Sequence, residues 1–231
     1  MSAGDHRRAV IFDMDGVLVH TTPLHLRVWE DWFASVPYDP GPGGVPGLMG
    51  RRGEDVVAEV MGVRGDSREA EAVVAGLYER LLQRLAVEPL PLAPGANALL
   101  ERLAAAGARL GLATSGRRDA VDALVGELLP RFDAVVTAED VTRGKPDPQV
   151  YDLAAARLGV APAACTVVED AVAGVAAARA AGMRVAAVTA TASAGALAAA
   201  GADVVAARLD ELVDPLLAAI GGDGSDGLPA P

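Results

Sequence analysis

From residue 97 onward, apolar and polar positions switch between two periods: short apolar runs bounded by turn residues, then stretches with the three-to-four-residue spacing of a helix. The runs predict strands over 109–113, 134–137, 166–168, 184–188 and 204–205. The stretches around them predict helices near 97–106, 117–128, 148–158, 171–181, 194–200 and 210–219. Strands that take turns with helices imply a parallel sheet wrapped by helices, an α/β core. One further strand, 9–12, stands far upstream. Between it and residue 88 only helix signals occur. Thr22-Pro23 serves as cap and first-turn residue before LHLRVWEDWFASV, GEDVVAEVM follows, and Asp66 with Glu69 reads as a capping box before AEAVVAGLYERLLQRLA. A helical insertion over 17–91 therefore interrupts a core built from 1–16 and 92–220. The proline-rich EPLPLAPG, 88–95, is a return linker, VPYDPGPGGVPG, 36–47, is a loop inside the insertion, and 221–231 is expected to be a disordered tail.

Composition narrows the classes. The chain has 231 residues, 52% of them hydrophobic, enough for a sizeable core. No long uncharged apolar run suggests a spanning helix, and MSAGDHRRAV lacks the apolar stretch of a signal peptide, so a cytoplasmic protein without a membrane partner is expected. A monomer or weak dimer is the expected state. The single Cys165 rules out an intrachain disulfide and offers no thiolate cluster. A net charge of −11 argues against nucleic acid as partner. The histidines lie at positions 6, 20 and 25, with no GxSxG serine elbow for them to serve, and PGPGGVPG follows no strand as a dinucleotide loop does.

The chemistry gathers at the predicted strand ends. The first strand runs into Asp13-Met14-Asp15-Gly16; Thr114-Ser115-Gly116 follows the strand over 109–113; Lys145 follows the strand over 134–137 after a short excursion; Glu169-Asp170 follows the strand over 166–168. Each has an ordinary reading as a turn or helix cap. An EF-hand reading of the acidic pair fails, since Val17 and Leu24 fall where oxygen ligands are needed. In an open parallel sheet the carboxyl ends of the strands converge on one crevice, so these side chains face one another there. Four carboxylates then meet one ammonium, and two like charges about 4 Å apart cost on the order of 1–4 kcal/mol. Such a cluster calls for a divalent cation, and oxygen ligands without His or Cys indicate Mg²⁺. Lys145 is the only lysine among twenty Lys plus Arg residues. A compact ammonium suits a place between a carboxylate nucleophile, a second carboxylate and a phosphoryl oxygen better than a planar guanidinium does.

Read together, DMDGVLV, Thr114 within LATSG, Lys145 within RGKPDPQVY, and Glu169-Asp170 within TVVEDAVAGVAAARAAGM resemble the four motifs of the haloacid dehalogenase superfamily, in its phosphatase branch. The likeness extends over residues 8 to about 215, and the helical insertion is similar to that family's type-1 cap. The resemblance implies a Rossmann-like core, Asp13 as nucleophile forming an aspartyl-phosphate, Asp15 as general acid and then base, and Thr114 with Lys145 holding the phosphoryl group. It implies Mg²⁺ bound by Asp13, the Asp15 backbone carbonyl and Asp170, with Glu169 nearby. Ser115, Gly116, His25, Arg51 and Arg52 are the candidate substrate contacts. Asp15 speaks against the metal-free dehalogenases, and the absence of a cap lysine against phosphonoacetaldehyde hydrolases. Thr21, His25 and Trp29 match the hinge region of the β-phosphoglucomutases, although Gly53 stands where their arginine falls. The expected function is a Mg²⁺-dependent phosphatase of a small, sugar-phosphate-like metabolite. A phosphomutase is the alternative, and a non-catalytic phosphate-binding module a more distant one.

Overall fold

The computed structural model describes residues 8–38, 44–48, 51–87 and 89–221. Six strands form one sheet: β1 (Ala9–Phe12), β2 (Arg109–Ala113), β3 (Ala134–Val136), β4 (Cys165–Glu169), β5 (Arg184–Val188) and β6 (Val204–Ala206). Their spatial order is β3-β2-β1-β4-β5-β6, and every neighbouring pair is parallel. The connections run from β1 towards one edge and then from β4 towards the other, so the winding reverses between β1 and β4. At such a reversal the loops that leave the two strands diverge and open a crevice at their carboxyl ends.

Alternation of side chains fills both faces of this sheet. Val10 and Phe12 of β1, with Leu110 and Leu112 of β2, join one core, which α4 (Ala96–Ala105), α5 (Arg118–Val125) and α9 (Val213–Gly221) close with Leu99, Leu100, Leu103, Val121, Val125 and Leu216. Ala9, Ile11 and Val167 join the other, against α6 (Gln149–Leu158), α7 (Val172–Ala180) and α8 (Ala194–Ala200). Gly111 on β2 lets α6 come close, because a Cβ there would lie 3.1 Å from Leu158 Cδ1 and 3.3 Å from Ile11 Cγ1. Full burial of a side chain such as Phe12 or Leu112 contributes about 1.5–3 kcal/mol.

The remaining helices, α1 (Thr22–Phe33), α2 (Gly53–Met61) and α3 (Arg68–Val87), surround their own apolar cluster, in which Trp29, Phe33, Val56, Val57, Val74 and Leu77 meet. The chain leaves the sheet and returns to it side by side: Val19 bridges antiparallel to Leu92, and the Ala93 N–H donates to the Leu18 carbonyl at 2.7 Å. Three polar contacts tie these helices to the loops beyond the strands. The Thr22 and Thr191 hydroxyls lie 3.1 Å apart. The Gly144 N–H donates to Asp55 Oδ2 at 3.2 Å. The Arg117 guanidinium lies 5.8 Å from the Tyr78 ring centroid, and its backbone N–H faces the Tyr78 hydroxyl.

The element boundaries differ from the sequence-based ones for local reasons. Thr137 leaves β3 because its side chain and that of Asp140 form a reciprocal cap on the turn Ala138–Asp140. Glu169 joins β4, in register with Ala187. Helix α5 stops at Val125, and Gly126–Arg131 tighten into a 3₁₀ turn containing Pro130; a similar turn, Leu209–Leu212, replaces the start of the predicted last helix. The caps of α1 and α3 are corrected by one residue each. Thr21 precedes α1, with Thr22 and Pro23 as its first positions, and the Thr21 side chain makes no cap hydrogen bond. At α3 the Ser67 hydroxyl accepts from the Ala70 N–H at 3.1 Å, because Asp66 is drawn to Arg64 at 2.7 Å. Most of the predicted tail, and residues 39–43 of the predicted loop, lie outside the described residues. Among the described residues no helix is long and apolar enough to cross a membrane.

Gly144 gives the seam between α2 and the strand-end loops a direct test. A Cβ at this position would sit 2.3 Å from Arg52 Cβ and 2.7 Å from Asp55 Oδ2. Gly144→Ala is expected to destabilise the protein by about 1–3 kcal/mol through overpacking, and to speed amide exchange at Gly144 and in the first turn of α2. Unchanged denaturant melting together with unchanged exchange would show that the seam yields freely.

Candidate active site

Main-chain hydrogen bonds carry the sheet past its last strand residues and fix where the first functional side chains start. The Asp13 N–H donates to the Val168 carbonyl at 2.9 Å, and the Thr114 N–H to the Val136 carbonyl at 3.0 Å. Asp13 is thus held beside the end of β4, where Glu169 and Asp170 emerge. Lys145 arrives from the loop after β3 and is 2% exposed, with Nζ 2.8 Å from Asp13 Oδ1 and 2.7 Å from Glu169 Oε1. Below it lies Tyr151 of α6, its ring centroid 4.9 Å from Nζ and its hydroxyl donating to Glu169 Oε1 at 2.8 Å. Burial alone would lower the Lys145 pKa, but Asp13 and Glu169 more than offset it, and the ammonium is held well above its usual range.

Glu169 is engaged on both oxygens. Oε1 takes Lys145 and Tyr151; Oε2 accepts the N–H groups of Asp170 and Ala171 at 2.8 and 2.9 Å. Its room comes from Gly174, where a Cβ would lie 1.6 Å from Glu169 Oε1. Asp170 caps no helix, since α7 begins after Ala171 without a side-chain cap. Its Oδ2 accepts the Thr191 hydroxyl, and Gly16, at φ 77°, leaves space for it: a Cβ there would fall 1.8 Å from Asp170 Oδ2. Thr114 likewise caps nothing; its Oγ1 accepts the Gly116 N–H at 2.9 Å and so shapes the Thr114-Ser115-Gly116 turn.

Asp13, Glu169 and Asp170, all buried, bring ligand atoms within 4.8 Å of one another. Burial pushes Asp13 up to about 7, with Glu169 and Asp15 adding to the rise and Lys145 opposing it. Burial, then Glu169 and Asp13, hold Asp170 well above the usual carboxylate range. Carboxylates raised by burial and by one another mark a site short of positive charge. An oxygen-only donor set of this kind fits a hard divalent cation. Because Glu169 already has four donors, Asp13 and Asp170 are the side chains best placed to hold such an ion, and Glu169 positions them.

Asp15 stands apart from that cluster. Its Oδ1 accepts the Thr21 hydroxyl and lies 3.2 Å from His25 Nε2, an ion-pair distance without an aligned hydrogen bond. Burial raises its pKa, but His25 and then Thr21 outweigh that effect, leaving it below its ordinary value. Asp13, Asp15, His25, Arg51, Thr114, Ser115, Gly116 and Asp170 line one cavity between the strand ends and α1–α3. Arg51 is paired with Glu59 at 2.8 Å. Arg52 is turned from that cavity's lining towards Glu54 and Asp55, at 3.3 and 3.7 Å.

Sequence reasoning gave no role to Thr191, Tyr151 and Tyr78. Thr191 was within its reach, because Thr189-Ala190-Thr191 follows β5 as the other site residues follow their strands. Tyr151 shares a short segment with Lys145, but only the packing of α6 shows that its hydroxyl turns to Glu169. Tyr78 carried no signal beyond an aromatic residue on a helix.

The family model of haloacid dehalogenase-like hydrolases matches residues 7–182. Hexitol phosphatase A of Escherichia coli strain K12 is 36% identical over 202 residues, which cover 82% of this chain and 87% of that protein. The β-phosphoglucomutase of Bacillus subtilis is 32% identical over 186 residues, 76% of this chain and 80% of its own length. The crystal structure of CbbY from Rhodobacter sphaeroides in complex with phosphate superposes with a TM-score of 0.74 at 27% identity, over 89% of this chain and 96% of that one. With this sheet, these strand-end residues and these relatives, the chain belongs to the haloacid dehalogenase-like hydrolase family, in a branch whose named members include phosphoric monoester hydrolases.

Proposed function

We propose that this protein is a Mg²⁺-dependent phosphatase that hydrolyses a small phosphorylated metabolite, of the sugar-phosphate kind, through an aspartyl-phosphate on Asp13. The observation that carries this reading is the buried Lys145 ammonium, 2.8 Å from Asp13 Oδ1 at the reversal point of the sheet, with Asp15 two residues on. Mg²⁺ would be held by Asp13 and Asp170 with the Asp15 backbone carbonyl, and when bound it supplies positive charge against the phosphoryl oxygens. Asp13 attacks phosphorus, forming an acyl phosphate as the ester P–O bond breaks and the departing oxygen takes a proton from Asp15. The low pKa of Asp15 keeps it an acceptor before substrate arrives; a phosphate dianion beside it raises that pKa by like-charge repulsion. In the second step Asp15, again a carboxylate, takes the proton of a water that attacks phosphorus, releasing phosphate and free Asp13. Lys145 with the Thr114-Ser115-Gly116 turn holds the phosphoryl oxygens throughout. Helices α1–α3 act as the cap, excluding bulk water while phosphorus is transferred.

A phosphomutase would use the same acyl phosphate and return it to a reoriented intermediate. The 32% identity to β-phosphoglucomutase keeps that reading in the test. Phosphate release from a panel of sugar phosphates and phosphoglycolate, with Mg²⁺ and with EDTA, is expected to depend on the metal, with little interconversion of glucose 1-phosphate and glucose 6-phosphate. Interconversion without release makes the enzyme a mutase, and neither outcome with any ester rejects both. Asp13→Asn is expected to fold and to release no phosphate; wild-type turnover in this variant would remove Asp13 from the mechanism.

The Asp13 carboxyl also sets a pH dependence of stability. Its pKa is raised from 3.8 to about 7 on folding without metal, so the native state binds more protons than the unfolded one in that window. The stability present below the unfolded value is lost as pH rises through the folded one. In EDTA the melting temperature should therefore fall between pH 5 and pH 8, by about 2–4 °C for each 1 kcal/mol lost. Mg²⁺ should restore much of it at pH 8. Asp13→Asn should melt higher than the wild type in EDTA at pH 8 and gain less from Mg²⁺. A flat wild-type profile in EDTA would contradict this account of Asp13.

A further inference from the structure

Helix α3 brings one polar side chain to the catalytic cavity, the half-buried Tyr78, with Leu77 and Leu81 of the same helix beside it. Its hydroxyl faces the N–H of Arg117, the residue that follows the Thr114-Ser115-Gly116 turn, and the Arg117 guanidinium lies 5.8 Å from its ring centroid. These contacts use only the acceptor side of the hydroxyl. A phenol has one hydrogen to donate, and among the described residues no acceptor takes that of Tyr78. Burial, then Asp15 and Glu54, hold the phenol well above its usual range, so the hydrogen stays in place. A hydroxyl that faces a backbone N–H is also polarised into a better donor.

The other polar groups of the lining are placed differently. His25 Nε2 is buried without an aligned partner, but it stands 3.2 Å from Asp15, on the side of proton transfer. Thr191 gives its hydrogen to Asp170, so Thr22 donates to Thr191 and keeps only lone pairs for a ligand. Arg51 is paired with Glu59 at 2.8 Å. The cavity measures about 80 Å³, room for about five to eight water-sized groups. An ester whose phosphoryl group lies at Asp13 has little room to bypass Tyr78.

We infer that Tyr78 is a specificity-determining residue of this site: its hydroxyl donates a hydrogen bond to an oxygen in the alcohol part of the substrate, and so tilts the site towards phosphate esters of polyols and sugars. The inference rests on the phosphatase reading for the reaction, but not for the fit. An alkyl ester leaves the phenol hydrogen without an acceptor inside the cavity. A hydroxylated ester supplies one, a difference of about three- to tenfold in affinity. Phenylalanine at this position keeps the ring and removes the discrimination, because a site without the donor gains nothing from the extra oxygen.

The test separates the fit from the chemistry. Calorimetry on Asp13→Asn with Mg²⁺, with and without Tyr78→Phe, measures binding of two matched pairs: glycerol 3-phosphate with n-propyl phosphate, and sorbitol 6-phosphate with n-hexyl phosphate. Tyr78→Phe is expected to melt as its parent does and to weaken the hydroxylated member of at least one pair about three- to tenfold. The alkyl partner should stay within about twofold, a split that a loss of packing would not produce. No selective loss in either pair overturns the inference, and so does failure of the parent to bind both hydroxylated esters. The same four esters are assayed for phosphate release by the wild type. The expected binding pattern without release from any ester upholds the role of Tyr78 and counts against the phosphatase reading alone.

Discussion

The ion pair between Lys145 and two carboxylates, buried at the end of the sheet, is the constraint around which the rest of the site is arranged. Removing the ammonium from such a buried group costs about 3–5 kcal/mol, because both carboxylates are left without a counter-charge. Lys145 therefore fixes Asp13 and Glu169 to each other before any ligand arrives. One ammonium does not balance the carboxylates around it, and the elevated pKa values of Asp13 and Asp170 express the remainder. The site is short of positive charge, and on the proposed reading a divalent cation would supply it.

Glu169 shows how that tension is contained. Four donors converge on its two oxygens, and two of them are main-chain N–H groups at the start of α7, so the carboxylate is locked to the backbone. Gly174, the third residue of the same helix, keeps the space open. Glu169, which the sequence offers as a metal ligand and which lies in the carboxylate cluster, is thereby also a bracket between Lys145, Tyr151 and α7. Asp170, gripped by Thr191 and with Gly16 beside it, closes the carboxylate cluster on the β4 side.

Much of this could be read from the chain because strand periodicity and strand-end chemistry are local. Strand 109–113 and helix 53–61 fall where their patterns place them, and Asp13, Thr114, Lys145 and Asp170 meet because parallel strands point the same way. What sequence leaves out is orientation. Asp66 and Ser67 are both good helix caps, and only the pull of Arg64 on Asp66 decides between them. Arg51 and Arg52 are adjacent cations in one loop; one lines the cavity and pairs with Glu59, the other lies over Gly144 and pairs with Glu54 and Asp55. Thr191 and Tyr151 act through partners more than a dozen residues away, at distances that no periodicity encodes.

Burying the only lysine also gives the folded protein an unusual surface chemistry. Nineteen of its twenty strong side-chain cations are guanidinium groups, and the one side-chain amine is both hidden and held protonated. Acylating and aldehyde reagents need an accessible neutral amine, so the native chain offers them no lysine. The first lysine modified in this protein reports the opening of its own catalytic crevice.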